Sequence, residues 1–229
     1  MYRRHEVGRR PIARRADPRH DGRMIDSAFL ITATATLFVV IDPPGLVPLF
    51  IALTRGMSVE RRRALATRAC LIAVAILAAF AIAGEALLGF IGITMPAFRI
   101  AGGILLFLTA LDMLFERRTQ RREGQHAEPD HDPSVFPLAT PLIAGSGAIA
   151  TMILLVSQAG GGVTGMAAAI GVMLAVMGST YAFLLAAPPL ERLLGRTGTI
   201  VITRLLGMLL AALSVQFVID GVRGTGLIG

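Results

Sequence analysis

The 229 residues are 54% apolar and only 16% charged, with a formal net charge of +7, whereas an ordinary soluble domain carries about a quarter charged residues. From Pro133 to Leu190 there is no Asp, Glu, Lys or Arg, a run that holds two bilayer crossings of roughly 20 residues each and a turn between them. Soluble helices of that length need polar outer faces and these have none, so a water-soluble enzyme domain is excluded and an all-α membrane protein is expected.

The excess charge is not spread over the chain. Residues 1–23 hold eight Arg against Glu6, Asp17 and Asp21, which is +5; the remainder has 14 Arg and 12 acids, only +2. A basic arm of this kind meets anionic lipid head groups, and no nucleic-acid partner is implied. Cys70 stands alone, and His5, His20, His126 and His131 all lie in polar segments. A disulfide, a metal site and a cofactor inside the bundle are therefore not expected. The chain has no Lys, hence no phosphate-binding loop for ATP.

In chain order, residues 1–23 read either as a basic disordered tail or as a mis-assigned start, with Met24 favoured as the true first residue. The paired arginines are not a twin-arginine signal, because a full crossing follows them without a small-residue cleavage site. The first apolar segment, about Ser27–Leu53, is broken by Asp42-Pro43-Pro44-Gly45 and Pro48. The second, about Ala69–Ile91, carries Glu85. The third, about Pro96–Phe115, carries Arg99 and Asp112. Glu116–Pro133 is a polar loop. The fourth, about Val135–Gln158, is interrupted by Pro141 and Ala144-Gly145-Ser146-Gly147. Gly160-Gly161-Gly162 is a turn. The fifth, about Thr164–Ala187, ends at Pro188-Pro189, and the sixth is about Thr199–Asp220.

A repeat runs through these segments at an offset of 105–106 residues. Leu87-Leu88-Gly89 matches Leu193-Leu194-Gly195, and Arg99-Ile100-Ala101-Gly102 matches Arg204-Leu205-Leu206-Gly207. Asp42-Pro43 in the first segment has a counterpart in Thr140-Pro141 in the fourth. Each unit holds three crossings, an odd number, so the second enters from the opposite side. The expected architecture is six transmembrane helices as two inverted three-helix repeats with broken first and fourth helices: residues 24–115, a polar loop over 116–134, and residues 135–229. Three loops on one side carry 11 Arg: Arg55, Arg61, Arg62, Arg63 and Arg68; Arg117, Arg118, Arg121 and Arg122; Arg192 and Arg196. Arginine marks the cytoplasmic side, which places both termini outside when the chain is counted from Met24.

Four stretches in order resemble the MarC family of bacterial integral membrane proteins: Leu37–Phe50 with its Asp42-Pro43-Pro44-Gly45, Phe98–Leu106, Pro137–Ile149, and Gln216–Gly221. The resemblance runs from Met24 almost to the C-terminus, with two departures: Leu46 where the family often has Asn, and Ser146 where it often has Pro. It implies a multi-pass protein of the bacterial cell inner membrane and of transporter type, whose substrate the resemblance does not name. The partners it implies are the lipid bilayer and an unknown small solute, with a homo-oligomer left open.

Asp42-Pro43-Pro44-Gly45 is the sharpest feature. A proline removes a donor and clashes with the preceding turn, and non-helical backbone at membrane depth survives only inside protein or beside water. A lone intramembrane carboxylate marks an ion, proton or substrate path; the plainer reading is a kink in which Asp42 caps the next half-helix. Thr140-Pro141 with Gly145-Ser146-Gly147 is the partner break, where glycines let a ligand approach backbone. Paired broken helices point to a transporter site, so the candidate solute- or ion-binding residues are Asp42, Pro43, Pro44, Gly45, Thr140, Pro141, Gly145, Ser146 and Gly147. No catalytic residue is assigned. Glu85, Arg99, Asp112, Arg204 and Asp220 lie near helix ends and read as interfacial, Arg99 and Glu85 flanking a short loop across which they could pair; Gln158 and Gln216 read as bonds between helices. The leading expectation is a secondary carrier of a small polar solute driven by an ion or proton gradient. A non-transporting membrane partner or assembly subunit is the second reading, and an intramembrane enzyme using Asp42 and Asp112 the third.

Overall fold

The structure, a computed structural model, describes residues 27–115, 132–160 and 162–226. All the regular structure among them is helical: α1 Ser27–Ile41, α2 Pro43–Leu53, α3 Val59–Ile91, α4 Met95–Leu114, an irregular wide-wound segment α5 Ser134–Ile143, α6 Ser146–Gln158, α7 Gly162–Leu185 and α8 Ala187–Gly224. Among the described residues five spans are long and apolar enough to cross a membrane, α1 and α2 counting together; α5 and α6, bent by 54° at their junction, count as a sixth where the pair is taken as one broken span. Large apolar side chains face outward all round, Phe90 at 91% and Val163 at 87% exposed. Such a surface aggregates in water and is at home in lipid.

Two expected boundaries shift. The second helix begins at Val59, not Ala69, because Ser58 caps it through the backbone N–H of Arg61. Arg61, Arg62, Arg63 and Arg68 thus sit on helix instead of in a loop. At 33 residues α3 is about 50 Å long, which exceeds a hydrocarbon core of roughly 30 Å, and its arginine-bearing turns extend beyond the apolar layer. Pro188-Pro189 does not merely end the fifth helix: the pair occupies the first turn of α8, where a missing N–H costs nothing. A kink at Gly195, φ 60, then separates that turn from the membrane-length part beginning at Thr197.

The broken helices form the centre. In the span of α1 and α2, 67% of the most apolar window is buried, against 28% for α3, α4 and the last span. Nine of the 13 residues of α6 are buried. Leu37, Ile41, Leu46, Leu138, Ile143, Met152 and Leu154 fill the middle. Helices α1 and α2 pack on α7 and α8, and α1 also on α6; α5 packs on α3, α6 on α3 and α4, and α4 lies along α8. The α4–α8 pair is antiparallel and glycine-spaced. A Cβ on Gly103 would lie 2.8 Å from the Ser214 carbonyl oxygen, one on Gly221 3.0 Å from that of Pro96, and one on Gly207 3.3 Å from that of Ala110. Close backbone approach supplies packing that the hydrophobic effect cannot supply in lipid.

Candidate functional site

The first break is one residue long. Pro43 disfavours right-handed helix at the residue before it, and Asp42 turns left-handed, φ 56 and ψ 63, the only non-glycine residue with positive φ among those described. Asp tolerates this region because its short polar side chain bonds locally. Oδ1 of Asp42 accepts the backbone N–H of Gly45 at 3.1 Å, while the two prolines between them need no N–H partner. A Cβ on Gly45 would collide with the Asp42 carboxylate, so the Asp-Pro-Pro-Gly order is a self-consistent cap. The capped kink is thus observed.

The cap also buries a titratable carboxyl. Asp42 is 0% exposed, with Pro43 and Pro44 buried and Gly45 half-buried. The Thr203 hydroxyl of α8 stands 3.4 Å from Asp42 Oδ1. Thr203 carries no sequence signal of its own; it precedes Arg204 of the repeat and reaches Asp42 only through the fold.

The second break is longer. Phe136 and Thr140, each before a proline, take extended dihedrals, and their peptides to Pro137 and Pro141 are cis. Gly145 ends the wide turn: a Cβ there would collide with the Pro141 carbonyl oxygen. Gly147 is buried on α6, and a Cβ on it would lie 3.3 Å from Cγ1 of Val40 and 3.6 Å from Oγ1 of Thr109. The two breaks therefore approach each other through Val40, two residues before Asp42, and Gly147. Thr140, Pro141 and Ser146 are exposed and Gly145 is half-buried. Of the second set, Gly147 is the residue shown in contact with the first break's helix.

The polar residues near helix ends divide. No ion pair joins Arg99 and Glu85: Glu85 is exposed, as an interfacial side chain is, and Nε of the half-buried Arg99 has no hydrogen-bond partner. Gln216, expected to bond between helices, donates instead to Asp220 one turn on in its own helix at 2.9 Å. Asp220 also lies 3.9 Å from Arg223. Outside the spans, Asp132 accepts the N–H of Ser134 at 2.9 Å and its hydroxyl at 2.8 Å, and meets Arg68 of α3 at 3.2 Å. Those contacts, the Ser134 backbone N–H foremost, hold its carboxyl below the usual carboxylate range. No group of three potential metal-ligating side chains occurs among the described residues.

The profile of the MarC family integral membrane proteins matches residues 27–225. A membrane protein of Archaeoglobus fulgidus is 39% identical over 197 residues, 85% of this chain and 92% of its own length. The inner membrane protein YhgN of Escherichia coli is 34% identical over 194 residues, 85% and 96% of the two chains. The membrane protein YvbG of Bacillus subtilis is 35% identical over 202 residues, 86% and 95%. No solved structure matches. The chain belongs to the MarC family of integral membrane proteins, and the archaeal relative widens the bacterial setting that the motifs alone implied.

Proposed function

We propose that this MarC-family chain is a secondary carrier of a small polar solute, coupled to a proton or cation gradient, and not an enzyme. One observation carries the reading: a carboxylate with no exposed surface, Asp42, sits at a helix break inside a bundle whose outer surface is apolar. Burying a charge there is costly and buried carboxylates in membranes serve ion or solute paths. A proton or cation on Asp42 neutralises the charge, and changing that occupancy changes what holds α2 against α8.

The packing supports two inverted repeats. The first crossing, α1 and α2, lies on the fifth and sixth, α7 and α8; the fourth, α5 and α6, lies on the second and third, α3 and α4; the third lies along the sixth. Exchanging the two halves maps these contacts onto one another, as a two-fold axis between inverted units requires, while the contacts of α7 with α6 and α8 have no counterpart of like extent in the first half. In this arrangement the chain lies in the inner membrane with both termini outside, and its arginine-rich turns face the cytoplasm.

The experiment is flux in proteoliposomes under an imposed proton or sodium gradient, run over a panel of amino acids, amines and small sugars. Gradient-dependent, saturable movement of one class, lost in Asp42→Asn with the protein still folded, is the expected result. Absence of flux for every class would remove the carrier and favour a membrane partner.

A further inference from the structure

Resting on the carrier reading, we infer that the seam between α1 and α6 is the solute route, and that a pocket at its end admits a small cationic or amine-bearing solute. The pocket, about 100 Å³, lies between α1, α6 and α8 and is lined by Thr32, Thr36, Leu155, Gln158, Gln216 and Asp220, among others. That volume holds about three waters. Asp220 brings a carboxylate whose Oδ1 already accepts from the Gln216 amide, the Gln carbonyls and Thr hydroxyls bring further acceptors, and no Arg is among the described residues that line the pocket. Arg223 lies outside the lining, 3.9 Å from Asp220, and a cationic solute in the pocket would share that carboxylate with it.

Helix geometry extends the pocket inward. On α6, Gln158, Leu155, Thr151 and Gly147 follow one another at three- and four-residue steps, which keeps them on one face. On α1, Thr32, Thr36 and Val40 do the same. The outer ends of both stripes meet in the pocket, and the inner ends meet where Gly147 faces Val40. The two stripes therefore run antiparallel along each other from the pocket to the first break.

Thr151 lies between those ends. It is 0% exposed and its hydroxyl has no hydrogen-bond partner. Other buried threonines are satisfied: Thr36, Thr54 and Thr180 donate to the carbonyl four residues back and Thr203 donates to Asp42; Thr151 does neither. A buried hydroxyl left unpaired is destabilising unless something completes it, and on this stripe water or a passing polar solute does so. Beyond Thr151 lies Gly147, whose missing side chain leaves room, and then the break that holds Asp42. The order is Asp220, Thr36 with Gln158, Thr151, Asp42: acceptors at each stage, with a carboxylate at both ends.

The test is thiol accessibility, which needs no known substrate. Thr36→Cys, Thr151→Cys, Gln158→Cys and, as the outward-facing control, Ile31→Cys (70% exposed) are each made in a Cys70→Ser background and checked for folding by gel filtration. Membrane fragments open to both sides are treated with a trimethylammonium or a sulfonate methanethiosulfonate, and rates are normalised to a free thiol in solution. Cysteines at 36 and 158 should react at least about tenfold faster than at 31, since a thiol in hydrocarbon does not ionise. The cationic reagent should be favoured by roughly fivefold, a preference that Asp220→Asn removes. Cysteine at 151 should react more slowly than at 158 but above the control. Rates at 36 and 158 equal to that at 31 would show the pocket dry, and a rate at 151 equal to that at 31 would close the seam as a route. Equal normalised rates for the two reagents would overturn the cationic preference. Flux that depends on Asp42 with a dry seam would leave the carrier and remove this route. A wet seam with no flux of any solute would remove the carrier and with it solute passage.

Discussion

The Thr203 hydroxyl stands 3.4 Å from Oδ1 of Asp42, the same oxygen that caps α2, so one carboxylate oxygen faces both its own helix start and a helix 161 residues away. At that length the contact is loose compared with an ordinary hydroxyl–carboxylate bond of about 2.5–3.0 Å. A carboxylate that touches two helices from different halves of the chain ties their relative position to its own charge.

Asp42→Asn and Asp42→Ala should separate cap from charge. Asn takes the left-handed region as readily as Asp, and its side-chain oxygen can still accept the Gly45 N–H, so the variant should keep a near wild-type melting temperature in detergent and lose gradient-driven flux. Ala removes the cap, about 1–2 kcal/mol, and forces a Cβ-bearing residue without local bonding into the left-handed region, about another 1–2 kcal/mol. Its melting temperature should fall clearly. Wild-type flux in a folded Asp42→Asn protein would reduce Asp42 to a structural cap.

The glycines between α4 and α8 should prove structural. An alanine at 103 would press on the Ser214 carbonyl and Val218, and one at 221 on the Pro96 carbonyl and the Ile100 amide. Backbone cannot step aside as a flexible side chain can, so Gly103→Ala and Gly221→Ala should each destabilise by about 1–3 kcal/mol. Gly171 of α7 has nothing within 4 Å of the same position, and Gly171→Ala should be neutral or slightly stabilising. Thermal unfolding of the three variants in one detergent checks the order.

The breaks were legible because their causes are local. Pro43, Pro44 and the Asp42–Gly45 spacing dictate a cap within four residues, and the prolines of α5 dictate its extended residues 136 and 140. The helix content followed from apolar runs that leave no other way to satisfy the backbone. What sequence did not show is Thr203 beside Asp42, a contact across 161 residues; the Gln216–Asp220 bond is local, one turn of a single helix, and its four-residue spacing is the signal that an interhelical reading passes over. The arginines after the first crossing read as loop because charge ends an apolar run, although it need not end a helix. Thr140 and Ser146 read as hydroxyl ligands from their place beside the glycines; that both stand exposed is a placement their spacing does not reveal.

Asp132 should give a pH-dependent anchor for α5. Its carboxyl is held below the usual range by the Ser134 backbone N–H, the Ser134 hydroxyl and Arg68. A folded value below the unfolded one means that the stabilisation is complete above the unfolded value, near about pH 4, and lost as pH falls through the folded value. The melting-temperature gap between wild type and Asp132→Ala should therefore be constant between pH 7 and 5 and shrink at lower pH. A gap that widened on acidification would contradict the sign.

Fusion reporters test the orientation. A reporter active only in the cytoplasm should be active when inserted within residues 116–133 and silent when fused after Gly229. The basis is the arginine content of the turns on one side. Strong activity at the C-terminal fusion would reverse the orientation or change the number of crossings.

Gly147 is where crowding and function should come apart. A Cβ there would sit 3.3 Å from Val40 Cγ1 and 3.6 Å from both Leu106 Cδ2 and Thr109 Oγ1, tight against one flexible side chain and ordinary against the others. Gly147→Ala should fold, within about 1 kcal/mol of wild type, because a helix interior also prefers Ala to Gly by about that much. Gly147→Val adds two more methyl groups toward Val40 and should be destabilised by about 1–3 kcal/mol. If the seam carries solute, Gly147→Ala should already reduce flux several-fold at unchanged melting temperature, since its methyl enters the approach between the two breaks. Gly147→Val, examined at a temperature where it remains folded by gel filtration, should abolish flux. If both variants are folded and transport at the wild-type rate, Gly147 is a packing glycine and the route passes elsewhere.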